Sequence, residues 1–266
     1  MKYKLGLLGE HIGYTFSPIV HDEIFRYIGV DAEYKVYDTP KERLEETVAE
    51  LKKNLVGFNV TKPFKTKIIE LLDEDESGCG AVNTVSIAEK TVGYNTDGWG
   101  FMKSFLQDCP IRSGAKVLIL GAGGAARVVA KMLECCEFDT YVHNRTLSKA
   151  EELAKTFGVK LYDGSGADAV VNCTSFGLNR GEDALDGVNV GKITYAFDLI
   201  YNPEQTDFLR DAKERHGATT KNGMDMLIYQ AIKTDEIVLP DVRLSKRDYE
   251  KLKDKIRNRL REHGVV

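Results

Sequence analysis

KVLILGAGGAARVVAKMLECCEFDTYVHNR, residues Lys116–Arg145, decides the fold. An apolar run, Val117–Leu120, enters a turn of small residues, Gly121-Ala122-Gly123-Gly124-Ala125-Ala126. A helical apolar pattern at Val128, Val129, Met132 and Leu133 follows, then a short strand, Thr140–His143. Strand, turn, helix and strand in this order are the opening of a dinucleotide-binding unit, and the turn fits G-x-G-x-x-(G/A) with Ala126 as its last small residue. Gly121 permits the tight turn, Gly123 lets backbone approach a pyrophosphate, and Ala126 keeps the helix close to the sheet. The helix start then offers unpaired N–H groups and the positive end of its dipole to phosphate.

The end of the second strand selects between cofactors. An NAD-binding unit usually carries Asp or Glu there, about 20 residues on, to take the ribose 2′-OH. This chain has Asn144, then Arg145, Thr146 and Lys149. No carboxylate stands there to repel a 2′-phosphate, and Arg145 is suited to pair with one. The block reads as an NADP site. The plainer alternative is a cationic, solvated helix start.

Working outward, the 266 residues allow one large domain or two medium ones. Hydrophobic content of 42% with 29% charged residues is that of a soluble globular chain. A net charge of −4 argues against nucleic-acid binding, and the C-terminal KLKDKIRNRLREHG interleaves Asp, Glu and Asn among its cations. Five cysteines, Cys79, Cys109, Cys135, Cys136 and Cys173, have no metal-ligand spacing and read as reduced thiols, mostly in the core. No metal is expected. The N-terminal apolar run is too short for a signal peptide, and no segment approaches the roughly 20 apolar residues of a membrane span. A cytoplasmic location is the expectation.

Before the glycine turn, strands are expected at Leu5–Leu8, Tyr34–Tyr37, Val56–Val60, Ala81–Ile87 and Thr91–Tyr94, the last two as a hairpin. Helices are expected from Ser17, as N-cap with Pro18 at N1, over Arg43–Leu51, over Phe64–Leu72 and over Trp99–Leu106. Alternation of this kind predicts an α/β domain with a mostly parallel sheet. Cys109–Gly114, rich in breakers and charge, is the linker candidate. Beyond Arg145, further strands (Lys160–Tyr162, Ala169–Cys173, Tyr195–Ile200) and helices (Lys149–Phe157, Phe208–Arg215) make a doubly wound sheet of about six strands. Gly223 opens an amphipathic segment, and Lys246–Glu262 is the final helix.

Polar groups gather where strands end: Thr15 and Ser17; Asn59, Thr61 and Lys65; Asn83; Asn95, Thr96 and Asp97. Hydroxyls, amides, one ammonium and one carboxylate suit a small, hydroxylated, anionic substrate. Structural readings stand beside this one: Ser17 as a helix cap, Asn95-Thr96-Asp97 as the cap of the next helix, and Lys65 as a surface lysine.

The runs FSPIVH (16–21), NVTKPFK (59–65), GAVNTV (80–85), YNTDGWG (94–100), GAGGAAR (121–127), NRT (144–146), NCTSFG (172–177), YNP (201–203) and GMDMLIYQA (223–231) resemble the shikimate dehydrogenase family in order and spacing, nearly end to end. The resemblance implies reversible, NADP(H)-dependent reduction of 3-dehydroshikimate to shikimate in aromatic amino-acid biosynthesis. It implies a substrate domain of residues 1–103, to which 224–266 returns, a Rossmann-type NADP domain of residues 104–223, and a cleft between them. Lys65 matches the family's catalytic lysine and Asp97 its acidic partner. Thr15 and Ser17 match hydroxyls for the substrate carboxylate, Thr61, Asn83 and Gln230 match groups around the ring, and Tyr201 matches one near substrate and nicotinamide. The cofactor set is Gly121, Ala122, Gly123, Gly124, Ala125, Asn144, Arg145, Thr146, Lys149, Thr174 and Gly223.

Two positions depart from the family pattern. Thr15 stands where Ser is usual, keeping the hydroxyl and adding a methyl. Lys62 stands where an apolar residue is usual; it either lowers the proton affinity of Lys65 by like-charge repulsion or points into solvent, and solvent is the favoured reading. The expected chemistry is hydride transfer to a ketone with Lys65 as acid/base and Asp97 holding its ammonium. A quinate/shikimate dehydrogenase using NAD or NADP, and a non-catalytic NADP-binding regulator, are the alternatives. The expected partner is a small molecule, with no nucleic acid or membrane, and a monomer or homodimer.

Overall fold

A computed structural model describes residues 2–13 and 15–265. The chain divides into two compact units, Met1–Asp97 with Ile228–Val265, and Gly98–Leu227.

The second unit is built on the quoted stretch. Strands β7 (Lys116–Leu120), β8 (Asp139–His143), β9 (Lys160–Leu161), β10 (Ala169–Asn172), β11 (Tyr195–Asp198) and β12 (Thr219–Lys221) form one parallel sheet in the order β12-β11-β10-β7-β8-β9. Counted within the unit, this is the doubly wound order 3-2-1-4-5-6. Strict alternation along the strands fills both faces. Val117, Ile119, Val171, Tyr195 and Phe197 point into one apolar cluster, Leu118, Leu120, Val170 and Ala196 into another. The first cluster is covered by α3 (Thr96–Gln107), through Phe101 and Phe105, and by α4 (Gly124–Glu134) and α5 (Leu147–Phe157). The second is covered by α6 (Asp207–His216) through Phe208, Leu209 and Ala212. Burying each such large side chain contributes roughly 1.5–3 kcal/mol. Run of chain and core therefore agree: Phe101 and Phe105 bind α3 to the second unit, so the division falls at Asp97–Gly98 and Cys109–Gly114 is a loop inside that unit.

The first unit carries β1 (Tyr3–Gly9), β2 (Ala32–Asp38), β3 (Gly57–Val60), β4 (Glu74–Asp75), β5 (Thr84–Ile87) and β6 (Thr91–Tyr94) in the order β2-β1-β3-β5-β6-β4. Only β5 runs against the others, pairing antiparallel with β3 and, as the expected hairpin, with β6. Helix α2 (Leu44–Asn54) packs Leu44, Val48 and Leu51 on Phe58, Val60 and Val85. Val238 and Leu239, where α7 (Met224–Val238) ends, pack with Leu5 and with Phe25 of α1 (Ser17–Ile28). The last helix, α8 (Lys246–Glu262), starts at a reciprocal capping box between Ser245 and Asp248.

Three local expectations change. Phe64–Leu72 is not an α-helix: residues 61–66 form turns and only Lys67–Leu71 closes a 3-10 helix. Phe64 and Ile68, spaced like a helix face, are both fully buried from that tighter path, with the Phe64 N–H on Thr61 C=O and the Ile68 N–H on Phe64 C=O. Ser17 is the first helical residue, not the cap, because its hydroxyl is taken by Thr15. Cys135 is exposed, unlike buried Cys79, because α4 has ended at Glu134. The short edge strands β4 and β12 carry too few residues to show a pattern in sequence.

Candidate active site

In the first unit the polar strand-end groups converge. Three backbone bonds hold the loop after β3: Thr61 N–H to Leu8 C=O at 2.9 Å, Phe64 N–H to Thr61 C=O at 2.9 Å, and Val82 N–H to Lys65 C=O at 2.8 Å. Gly9 makes room for this, since a Cβ there would lie 2.5 Å from Thr61 Cγ2. Lys65 is thereby aimed at Asp97, Nζ to Oδ2 2.5 Å. Both side chains keep partial access to solvent, 32% and 19%, so a small molecule can reach the pair. Asp97 sits in the first turn of α3, where a carboxylate is favoured by the helix dipole.

Asn83 completes the group. Its Oδ1 accepts the Thr96 N–H at 2.7 Å, and its Nδ2 donates to Asp97 Oδ1 at 2.9 Å and lies 3.3 Å from Gln230 Oε1. Lys65, Asp97, Asn83 and Gln230 are thus one hydrogen-bonded set drawn from a loop, a helix start, a second loop and α7. Thr15 and Ser17 form their own pair: Thr15 Oγ1 donates to Ser17 Oγ at 3.0 Å and accepts the Ser17 N–H at 3.2 Å. Lys62 is exposed on the turn, in keeping with the solvent reading.

In the second unit a cavity of about 690 Å³ opens outside the C-terminal ends of β7 and β10, where the strand order reverses. Its walls include Gly121, Ala122 and Gly123, the block Asn144, Arg145, Thr146 and Lys149, and Thr174. Gly121 needs its lack of side chain, with φ +104° and Cys173 backbone 3.3 Å from where a Cβ would sit. At Gly123 and Gly124 a Cβ would meet nothing within 4 Å, so the approach to the α4 N-terminus is open. Asn144 Nδ2 closes the turn onto Thr146 C=O at 2.9 Å and leaves Arg145 and Lys149 exposed on the cavity wall. Thr174 is fixed by donating to Asn172 Oδ1 at 2.7 Å. Gly124 and Ala125 form the exposed first turn of α4.

Tyr201 and Gly223 lie outside this cavity's lining. Tyr201 is half-buried after β11. Gly223 donates its N–H to Ile200 C=O, and a Cβ there would sit 2.1 Å from Leu199 O, so only glycine fits. Among the described residues no cluster of His, Cys, Asp and Glu is arranged for a metal, and no helix is long and apolar enough to cross a membrane.

Sequence reasoning missed the carboxylates of Glu182, Asp183 and Asp186 on the cavity wall, which no local pattern marks. It also missed Thr84 and Thr234, which lie under Asn83, and a buried pair, His21 Nδ1 to Asp235 Oδ1 at 2.9 Å, against which Tyr34 stacks. Gln230 and Thr234, four apart in a largely apolar helix, were the available signal for the α7 contribution.

Comparison with known proteins follows the same division. A family model for the shikimate dehydrogenase substrate binding domain matches residues 7–85, and one for shikimate / quinate 5-dehydrogenase matches residues 106–172. The shikimate dehydrogenase (NADP(+)) of Methanococcus maripaludis is 36% identical over 91% of this chain and 95% of its own. Among solved structures, shikimate 5-dehydrogenase from Thermus thermophilus in complex with NADP(H) and shikimate superposes with a TM-score of 0.88 at 28% identity, covering 97% of this chain and all of the other. The 5-ketofructose reductase of Gluconobacter sp. strain CHM43 superposes with a TM-score of 0.82 at 32% identity, over 96% and 99% of the two chains. With both of its units matched, and a relative at this identity along nearly its whole length, the chain belongs to the shikimate dehydrogenase family.

Proposed function

We propose that this protein catalyses the NADP-dependent, reversible reduction of 3-dehydroshikimate to shikimate. The observation that carries the chemistry is the Lys65–Asp97 pair at 2.5 Å, partly accessible and braced by Asn83. A ketone accepting hydride needs a proton at its oxygen as the alkoxide develops, and a positioned ammonium supplies it. Lys65 gives that proton, and Asp97 holds the ammonium in line and accepts from a substrate hydroxyl. In the oxidative direction Lys65 takes the hydroxyl proton. Thr15 and Ser17 bind the substrate carboxylate, and Thr61, Asn83, Gln230 and Tyr201 orient the ring.

NADP fits the second unit. The open approach at Gly123 and Gly124 admits a pyrophosphate against the α4 N-terminus, and Arg145, Thr146 and Lys149 offer donors to the 2′-phosphate with Asn144 shaping their turn. Thr174 and Gly223 complete the cofactor set. When bound, the nicotinamide supplies and accepts the hydride. The unit Met1–Asp97 with Ile228–Val265 acts as the substrate domain and Gly98–Leu227 as the cofactor domain. The protein works in the cytoplasm as a monomer or homodimer.

One observation favours a second reading of the substrate: Thr15 carries a methyl where the family usually has serine, which opens the choice between shikimate and quinate. Initial rates with shikimate and with quinate, each with NADP and with NAD, test both points. Turnover of shikimate with NADP at least tenfold above the other three combinations is expected on differential transition-state binding. Absence of any NADP reduction with either acid defeats the proposal.

A further inference from the structure

We infer that Thr234 is a positioning residue of this site, a link in a buried hydrogen-bond network that runs from Tyr34 to the Asp97 carboxylate. The inference rests on the reading of Lys65 and Asp97 given above.

Two amides are oriented by groups whose role has no choice. The Thr96 N–H can only donate, and it points at Asn83 Oδ1 at 2.7 Å; the Asp97 carboxylate accepts from the other end of the same amide at 2.9 Å. Asn83 is therefore fixed with its NH2 toward Asp97. The Asn83 backbone C=O can only accept, and Asn59 Nδ2 lies 3.0 Å from it. Asn59 is therefore fixed too, with Oδ1 toward Tyr34, whose hydroxyl donates at 2.8 Å. The second Asn59 N–H lies between Thr234 Oγ1 at 3.0 Å and Thr84 Oγ1 at 3.2 Å. Thr84 Oγ1 lies 3.1 Å from the accepting Asn83 Oδ1 and 2.9 Å from Thr234 Oγ1, and Thr96 Oγ1 lies 3.2 Å from all three of these atoms.

The links thus run Tyr34, Asn59, Thr234, Thr84, Asn83, Asp97, with the Thr96 hydroxyl bridging Thr234, Thr84 and Asn83. Hydrogen bonds linked in a buried network polarise one another, and the last donor, Asn83 Nδ2, faces an anion. Asn59, Asn83, Thr84 and Thr234 are 6%, 3%, 0% and 0% exposed, so no solvent replaces a lost link. Thr234, one turn along α7 from Gln230, ties the helix to Asn59 and Thr84, both of which bond Asn83.

The test is Thr234→Val, which keeps the shape and removes the hydroxyl, with Thr234→Ser as the rescue. Expected for Thr234→Val is a kcat lower by on the order of tenfold, the size of losing one buried hydrogen bond, with KM for shikimate within about twofold. Hydrogen exchange at the Thr96 amide, read without substrate, should speed up while that of Val60 does not. Thr234→Ser should return both to near wild type. Wild-type kcat in Thr234→Val overturns the inference, as does an equal loss in Thr234→Ser. Should Thr234→Val not fold, Tyr34→Phe removes the first donor while keeping the ring on His21. A smaller kcat loss of the same pattern then supports the chain, and wild-type kcat overturns it. If the wild-type enzyme turns over neither acid yet Thr96 exchange still responds to Thr234→Val, the chain stands and the shikimate reading falls.

Discussion

The two units solve the problem of holding a small molecule in opposite ways. The second uses backbone and surface: a glycine turn, a helix start and exposed cations within 34 consecutive residues, 116–149. The first uses buried side chains brought from afar, with Asn83 and Gln230 meeting across 147 residues of sequence. Phosphate is large, charged and recognised by any well-aimed N–H, so a local turn suffices. A ketone must meet one proton donor within about 3 Å. That demands a rigid assembly in which each member is held by another.

The contrast predicts a steeper response to mutation in the first unit. Lys65→Ala removes the proton donor and leaves the rest of the substrate contacts. Its kcat should fall on the order of 10²-fold or more with little change in KM for shikimate. Steady-state kinetics of the variant check this, and a near-normal kcat removes Lys65 from the acid/base role.

Sequence reading reached the two units unequally for the same physical reason. In Val117–Leu120 every residue is apolar and the alternation of faces is set by the chain itself, so strand, turn and helix are visible together. The first unit's strands showed through Leu5–Leu8 and Val56–Val60, but Phe64 and Ile68 imitated a helix that the turns at 61–66 replace. Lys65, Asn83 and Asp97 showed as polar groups at strand ends, while their separate roles, and Gln230 altogether, came from family resemblance. The spacing of residues 65, 83, 97 and 230 encodes no contact until the sheet and α7 bring them together. Thr84 carried no sequence signal, since a buried threonine in a strand looks like any other.

A buried carboxylate adds a stability test confined to the second unit. Asp198, fully buried at the end of β11, accepts from Thr206 Oγ1 at 2.6 Å, Asn172 Nδ2 at 3.0 Å and Ile200 N–H at 3.0 Å. Burial outweighs those bonds and pushes its pKa up from 3.8 to about 6. The folded state therefore holds this proton between those two values while the unfolded state releases it, and stability falls as pH rises through that window. The full change is on the order of 3 kcal/mol, at 1.36 kcal/mol per pKa unit. Asp198→Asn should flatten the dependence between about pH 4 and 6. Denaturant unfolding of both proteins across that range measures it, and an unchanged slope in the variant assigns the dependence elsewhere.

The cofactor end should respond more mildly and more selectively. Arg145→Ala removes one exposed guanidinium and leaves the glycine turn intact. KM for NADP should rise on the order of tenfold, the value of one charge-assisted contact. Rates with NAD should hold, because NAD has no 2′-phosphate to lose. Equal losses with both cofactors would mean that Arg145 supports the fold of the turn instead.

The smallest effect lies at Thr15, and it is the finest test of how rigid the first unit is. The Thr15 hydroxyl both donates to Ser17 Oγ and accepts the Ser17 N–H, and serine can keep both bonds. Thr15→Ser therefore deletes only a methyl. With the hydroxyl pair preserved, kcat/KM for shikimate should stay within about twofold. One methyl of extra room is worth little in discrimination, so the quinate-to-shikimate ratio should rise by only about threefold. Paired kcat/KM measurements on the two acids resolve a change of that size. A large loss with both acids would show that the methyl itself holds the hydroxyl pair in place, and that the loop before α1 is as tightly specified as the network around Asn83.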